Sequence, residues 1–378
     1  MFNLLVDLDE RFSAEAAHAL HAIFTSNGFD TFLRKGADGR TLAWIDATFG
    51  GTWSNEAFNG SNVIVSRDGV PVGFATIDNT SARFSWLRGE AAQPGTGIFG
   101  PFGVDLQHRS VRQGQGDTAG SLILKLAMCE LRARGYSRAL IAAVGNERLI
   151  EYYSRVVGAA IAEEFEPLPA GEKPRTVILA SGSGTNAQAV IDAVKGGLPL
   201  TIEAIVTNRA GAKVIERAER ANIPCDVVVW NRAEDSREQY DELLLQAVRA
   251  HEPDLVLLLG WMHLLSSPFV SRFPNLLNIH PAFLPHDQRR DEVDVPDGTT
   301  IPAFRGAYAV RDALAAKSAW VGASFHTVTM ETDRGEVLAR RPLAVEPNED
   351  ADALLGRLHP VEHEVVVAGI KRWLYEYR

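Results

Sequence analysis

Asn278 and His280, in the run NLLNIHP, carry the plainest chemical signal in the sequence. Residues two apart on a strand point to the same side. An amide and an imidazole therefore project together from the carboxyl end of an apolar strand, closed off by Pro281. Open α/β sheets bind ligands and place their chemistry beyond that end. An amide donates hydrogen bonds and an imidazole gives or takes a proton, so the pair suits charge stabilisation and proton transfer. Asp333, in GASFHTVTMETDRGE, ends an apolar and β-branched run just before Gly335. Its position suits a loop carboxylate beside a site; read alone it is more often an Asp-x-Gly turn between strands.

A third constellation, Ser181-Gly182-Ser183-Gly184-Thr185-Asn186, follows the apolar run TVILA and opens the helical segment AQAVIDAV. Glycines let the backbone turn tightly and approach a ligand, and a helix N-terminus presents free N–H groups with a favourable dipole. A phosphate is the expected guest. The loop lacks the third glycine of a dinucleotide fingerprint and the lysine of a Walker loop.

Positioning these groups requires a parallel sheet. TVILA, IEAIVT, CDVVVW, DLVLLLG and NLLNIH are short apolar runs, and AQAVIDAVKGG, KVIERAERAN and SREQYDELLLQAVRAH alternate with them as helical segments. That alternation predicts a mainly parallel, Rossmann-like α/β domain. At 378 residues the chain exceeds the usual limit of one core, and AEEFEPLPAGEKP, lacking apolar periodicity, marks the boundary. The expected domains are residues 1–165 and 174–378. The first reads as α+β: Asp68-Gly69 joins two β-branched runs as a hairpin over residues 63–77, and residues 121–134 form an amphipathic helix ended by Gly135.

Composition narrows the partners. With 46% apolar and 23% charged residues the chain is neither disordered nor fibrous. A net charge of −10 and no basic, aromatic-interleaved run argue against nucleic acid. No apolar stretch approaches ~18 residues and the N-terminus carries acids where a signal peptide carries bases, so neither membrane insertion nor export is expected. Two cysteines, Cys129 and Cys225, suit a reducing cytoplasm and supply no cysteine-based metal site.

In order and context, ILASGSGTNAQAVIDA, VTNRAGAKVIERAERANI, PDLVLLLGWMHLLS, FVSRFPNLLNIHPAFLP, GASFHTVTMETDRGEVL and VEHE resemble the glycinamide ribonucleotide formyltransferase family, from residue 175 to about 373. The resemblance implies formyl transfer from 10-formyltetrahydrofolate to a primary amine, without a metal. It makes Asn278, His280 and Asp333 the catalytic group. Gly182, Ser183, Gly184, Thr185 and Asn186 hold the substrate phosphate and adjoining groups, and Glu362 helps hold the nucleotide. Trp261, Met262 and Leu265 pack against the pterin, and Arg237 meets the folate's glutamate tail. Asn278 and a protonated His280 would donate to the developing oxyanion, with Asp333 raising the His280 pKa and relaying the amine proton. Three departures stand out: His263 where an arginine is expected, Arg334 where a glycine is usual, and an inserted segment, 286–300, read as a lid, an altered wall or a passive excursion.

Residues 40–160 resemble the GNAT superfamily of N-acetyltransferases, through the hairpin, the loop RQGQGDTA opening a helix, and the array Asn146…Tyr153…Gly158. That resemblance implies acetyl-CoA as a cofactor, held along Gln113, Gly114, Gly116 and Thr118 with Asn146 in contact, and Tyr153 as the acid for the departing thiolate. The whole chain then reads as a bifunctional acyltransferase acting on small-molecule amines. The alternative is glycinamide ribonucleotide formylation joined to a non-catalytic GNAT-like binding domain.

Overall fold

The computed structural model describes residues 1–378 apart from 80–83, 85, 86, 88, 90–92, 110, 111, 114–116, 167–170, 172, 232, 235, 377 and 378, and gives backbone only at 112 and 113. The chain divides into two compact units, Met1–Pro169 with Trp373–Arg378, and Ala170–Arg372.

In the second unit the five apolar runs become strands because Leu, Ile and Val can be covered on both faces of a parallel sheet. Cys225–Val227, Thr201–Thr207, Arg175–Leu179, Leu255–Leu258 and Leu276–His280 lie side by side in that order, all parallel. Val177, Ile178 and Leu179 are wholly buried, as are Leu255 and Leu257. Helices Thr185–Lys195, Val214–Ala221 and Arg237–Arg249 run between strands. Ser236 starts the last of these with a capping box closed by Gln239, which satisfies two otherwise orphaned N–H groups. Val177, Leu179, Val206, Leu244 and Val256 share one core cluster with Tyr240 and Trp261.

Two antiparallel strands, Trp320–Thr327 and Val337–Ala344, complete the sheet beside Leu276–His280. Their register sets Asn278 opposite His326 and His280 opposite Ser324. The strand order reverses between Arg175–Leu179 and Leu255–Leu258, so the loops after these two strands diverge and leave a crevice. The inserted segment folds as a hairpin, Glu292–Asp294 against Thr300–Pro302, with Val293, Val295 and Ile301 buried.

The first unit is built on a second seven-stranded sheet, in the order Asp30–Lys35, Ser61–Arg67, Val70–Ile77, Thr96–Val104, Arg138–Val144, Phe2–Asp7, Ala160–Glu164. Only Thr96–Val104 and Arg138–Val144 run parallel. The Asp68-Gly69 hairpin forms as expected, with both residues at positive φ (51° and 73°). Among the described residues no helix is long and apolar enough to cross a membrane.

Candidate functional site

The loops that part at the strand-order reversal line one cavity of about 420 Å³ in the second unit. Residues 181–186 come from the first loop and 258–265 from the second. The two are stitched together: Ser181 N–H donates to the Gly260 carbonyl at 3.1 Å, and Met262 N–H donates to Ser181 Oγ at 3.0 Å. Asn278, His280, His326 and Asp333 form another part of the lining, and His359 and Glu362 come from the helix Ala351–Glu376.

At the strand end, Asn278 Nδ2 donates to His326 Nε2 at 3.2 Å, while His326 Nδ1 lies 2.8 Å from the Thr327 carbonyl. That pair of contacts selects the His326 tautomer protonated on Nδ1. His280 Nε2 lies 2.7 Å from the Phe304 carbonyl, so this nitrogen carries the hydrogen and Nδ1 is the free one. Nδ1 of His280 stands 3.6 Å from Asp333 Oδ2, and Nε2 of His326 stands 3.6 Å from Asp333 Oδ1. Gly306 N–H donates to Asp333 Oδ2 at 2.7 Å and Arg305 Nε donates to its backbone carbonyl at 3.1 Å.

Burial pushes the His280 imidazole below its ordinary pKa, and the Asp333 charge and the Phe304 carbonyl oppose that shift without overcoming it. The resting ring is therefore neutral at pH 7, which corrects the expectation of a histidine kept protonated by Asp333. Burial also raises the Asp333 carboxyl. The two neighbouring imidazoles, His326 before His280, and the Gly306 N–H together outweigh it and hold the group well below the usual carboxylate range. A charged carboxylate thus faces a neutral base that becomes better the closer a proton comes.

In the loop at 181–186, Gly184 takes φ +69° immediately before the helix Thr185–Lys195. A Cβ there would lie 2.5 Å from Val214 Cγ2, so both conformation and space demand glycine. Asn186 Nδ2 donates to Glu362 Oε2 at 3.0 Å, and burial raises the Glu362 carboxyl against the opposing pull of that amide and of His359. Asn186 Oδ1 is buried with no hydrogen-bond partner among the described residues, an acceptor that a ligand donor would satisfy. Arg209, exposed just beyond the strand Thr201–Thr207, is the one arginine or lysine among the described residues of the cavity lining.

Trp261, Met262, Leu264 and Leu265 give the cavity an apolar wall. Trp261 Nε1 is a second buried polar atom without a partner among the described residues. His263 packs edge-on against Trp230, Tyr240 and Trp261. Arg237 is absent from the lining. Its guanidinium lies over Trp230 and Tyr240, 5.2 and 5.8 Å from the ring centroids, and bonds to Asp241 and to the Leu264 carbonyl. It reaches the back of the apolar wall.

In the first unit, Gly114 and Gly116 lie outside the described residues, and Gln113 belongs to a two-residue strand against Asp117–Thr118. Thr118 caps the helix Ala119–Ala133 in a capping box with Ser121. Asp117, beside that helix start, is held by Lys125 at 2.9 Å. Asn146 caps the helix Glu147–Val157, its Oδ1 accepting from Leu149 N–H at 2.9 Å. Tyr153 is buried against Phe99, and burial pushes its hydroxyl up to about 12. The hydroxyl that approaches the helix start is that of Tyr152, 3.1 Å from where a Cβ on Gly120 would stand.

Residues 174–288 and 298–370 match the formyl transferase family. The phosphoribosylglycinamide formyltransferase of Mycobacterium tuberculosis (strain CDC 1551 / Oshkosh) is 35% identical over 210 residues, 54% of this chain and 88% of the relative. The chain belongs to the formyl transferase family. The Escherichia coli (strain K12) phosphoribosylglycinamide formyltransferase is 35% identical over 191 residues, 50% of this chain and 82% of the relative. A solved glycinamide ribonucleotide transformylase 1 from Symbiobacterium toebii is similar with a TM-score of 0.47 and 31% identity, covering 55% of this chain and 90% of that one.

The formyl transferase match leaves out residues 289–297, most of the inserted hairpin. No residue from 286 to 302 lines the cavity. Of the expected site residues in this unit, all except Arg237 line the cavity. Sequence pattern does not single out His326, Arg209 or His359, which line it as well. His326 stands within the run GASFH, and a second histidine able to fall in register opposite Asn278 is the signal that points to it.

Proposed function

We propose that the second unit transfers the formyl group of 10-formyltetrahydrofolate to the primary amine of glycinamide ribonucleotide or a closely related phosphorylated amine. The observation that carries this reading is the meeting, in one cavity, of Asn278, His280 and Asp333 with the 181–186 loop, Arg209 and Glu362. Bound folate would supply an activated formyl group, and the chain supplies the rest. The apolar wall from Trp261 to Leu265, with the unpartnered Trp261 Nε1 donor, fits a flat heteroaromatic ring bearing polar edges.

Asn278 has a second Nδ2 hydrogen beyond the one given to His326, and donates it to the formyl oxygen as negative charge grows there. His280, neutral at rest, takes the proton that the amine must lose on forming its bond to the formyl carbon. Its Nδ1 faces Asp333 at 3.6 Å, and the carboxylate stabilises the imidazolium. His280 returns that proton to the departing folate nitrogen as the old carbon–nitrogen bond breaks, so the chain ends as it began. The free N–H groups at 182–185 and the Arg209 guanidinium hold the phosphate.

The test incubates the full chain with 10-formyltetrahydrofolate and either glycinamide ribonucleotide or its dephosphorylated form, following product mass. A gain of one formyl group on the phosphorylated amine, slower without the phosphate, is expected. Formylation of neither would sink the reading.

For residues 1–165 we favour a GNAT-like binding domain. Asp117 places a carboxylate where a pyrophosphate would sit, and Asn146 and Thr118 spend their side-chain oxygens on helix caps. One observation favours the second reading, acetyl transfer from acetyl-CoA. The parallel strands Thr96–Val104 and Arg138–Val144 pair only from Thr96 to Phe99 and then part, and their unpaired edges suit an extended, amide-bearing chain such as pantetheine. Release of free CoA with acetylation of an amine by the full chain would establish the second reading.

A further inference from the structure

We propose that the inserted hairpin is a positioning clamp for the Asp333 loop, with Asp291 as its latch; the catalytic part of this inference rests on the formyl-transfer reading above. The segment that the family match leaves out and Arg334 meet in space. Arg334 Nη2 bonds to the Asp291 carboxylate, and Arg334 Nη1 donates to the Gln288 carbonyl at 2.8 Å. Arg305, nearly buried, donates to the same Asp291 oxygen at 3.0 Å and to the Arg290 carbonyl at 2.8 Å. Its third contact is the Nε–Asp333 carbonyl bond. The stretch 288–291 therefore accepts four hydrogen bonds, through three oxygens, from two guanidiniums, one adjoining Asp333 in sequence and one bonded to its backbone.

Asp333 needs such support. It is a non-glycine residue at φ +52°, a conformation that persists where surroundings over-determine it. Its carboxylate is fixed by the N–H of Gly306, the residue after Arg305, so a shift of Arg305 moves the donor that aims the carboxylate at His280. The hairpin is itself anchored, since Val293, Val295 and Ile301 are buried. Single exposed ion pairs contribute little, but a shared carboxylate between two guanidiniums with carbonyl acceptors fixes geometry as a unit. The clamp acts on Asp333 from behind and touches no cavity surface, so it governs turnover rather than binding.

The experiment compares the full chain with Asp291→Asn, Asp291→Glu, Arg334→Met and the Asp291→Asn/Arg334→Met double variant. We expect kcat for formyl transfer to fall about 10-fold in Asp291→Asn with both KM values within about 2-fold, because sub-ångström misplacement of a catalytic group costs rate. Asp291→Glu restores at least half of the loss, and the double variant is no slower than the slower single one. Unchanged kcat, or losses that multiply, would overturn the clamp. Amide hydrogen exchange over 329–336 is read on the same proteins and needs no substrate. Exchange accelerated about 10-fold in Asp291→Asn supports the clamp, and unchanged exchange overturns it even if the wild-type chain formylates nothing, an outcome that would separately defeat the formyl-transfer reading.

Discussion

Nδ1 of His280 stands 3.6 Å from Oδ2 of Asp333, while the other His280 nitrogen is tied to the Phe304 carbonyl. The ring thus has a single free nitrogen, and that nitrogen faces a charge. Burial lowers the His280 pKa and the Asp333 charge opposes the shift, so removing the charge must lower it further. In the wild-type chain kcat/KM is expected to fall on the acid side at a pH below 6.5, the ordinary histidine value, as the neutral base is titrated. Asp333→Asn should lower kcat by about 10²- to 10³-fold and move the acid limb to lower pH. A limb that stays put, or moves up, would show that Asp333 does not act through His280.

Asn278 contributes differently. On the proposed mechanism its amide donates where charge appears and leaves the ground state largely alone, so Asn278→Ala should cost about 10²- to 10³-fold in kcat with KM changed by less than about 3-fold. Steady-state kinetics on both substrates check this. A large rise in KM with kcat preserved would recast Asn278 as a binding residue.

On the proposed reading Arg209 is the side chain that holds the phosphate, since among the described residues the lining offers no other lysine or arginine. Replacing it by methionine keeps an unbranched apolar stem and removes the charge. The KM for a phosphorylated amine should rise about 10- to 100-fold, the value of one charge-assisted contact, while the KM for the same amine without phosphate stays put. Equal effects on both amines would place the phosphate elsewhere.

Much of this site is legible in the amino-acid sequence. Asn278 and His280 share a side because they lie two apart on a strand, and the 181–186 loop announces itself by its glycines and the helix it opens. Arg209 and His326 are not legible in the same way. Arg209 reaches the cavity because Thr201–Thr207 lies beside Arg175–Leu179, and His326 because an antiparallel strand from 40 or more residues away falls into register with Asn278. Strand neighbours are a long-range fact that local pattern does not encode. The same limit hides the strand Phe2–Asp7, which is inserted between Arg138–Val144 and Ala160–Glu164, and the exposed edge strand Asp30–Lys35, which has no buried face to signal it. The strand Val337–Ala344 escapes sequence pattern because Arg340 sits wholly inside it, bonded to the Leu284 carbonyl at 2.7 Å and lying over Phe283. A buried arginine reads as surface until its partners are known.

Gly184 links the loop to the core and can be tested without substrate. Gly184→Ala faces two separate costs, the left-handed conformation at φ +69° and a methyl 2.5 Å from Val214 Cγ2. Together these should destabilise the second unit by about 2–4 kcal/mol in urea unfolding. Shortening the neighbour relieves only the clash with Cγ2, because the Val214 Cβ, 2.7 Å from the same methyl, remains. The Gly184→Ala/Val214→Ala double variant should therefore be more stable than the sum of the two single losses predicts, with a coupling of about 1 kcal/mol or more, while phosphate affinity stays reduced because the backbone turn remains strained. Additive losses would mean that the loop moves aside instead of pressing on Val214. In that event the 181–186 backbone would be soft, and its N–H groups a poorer preformed cradle than the geometry presents.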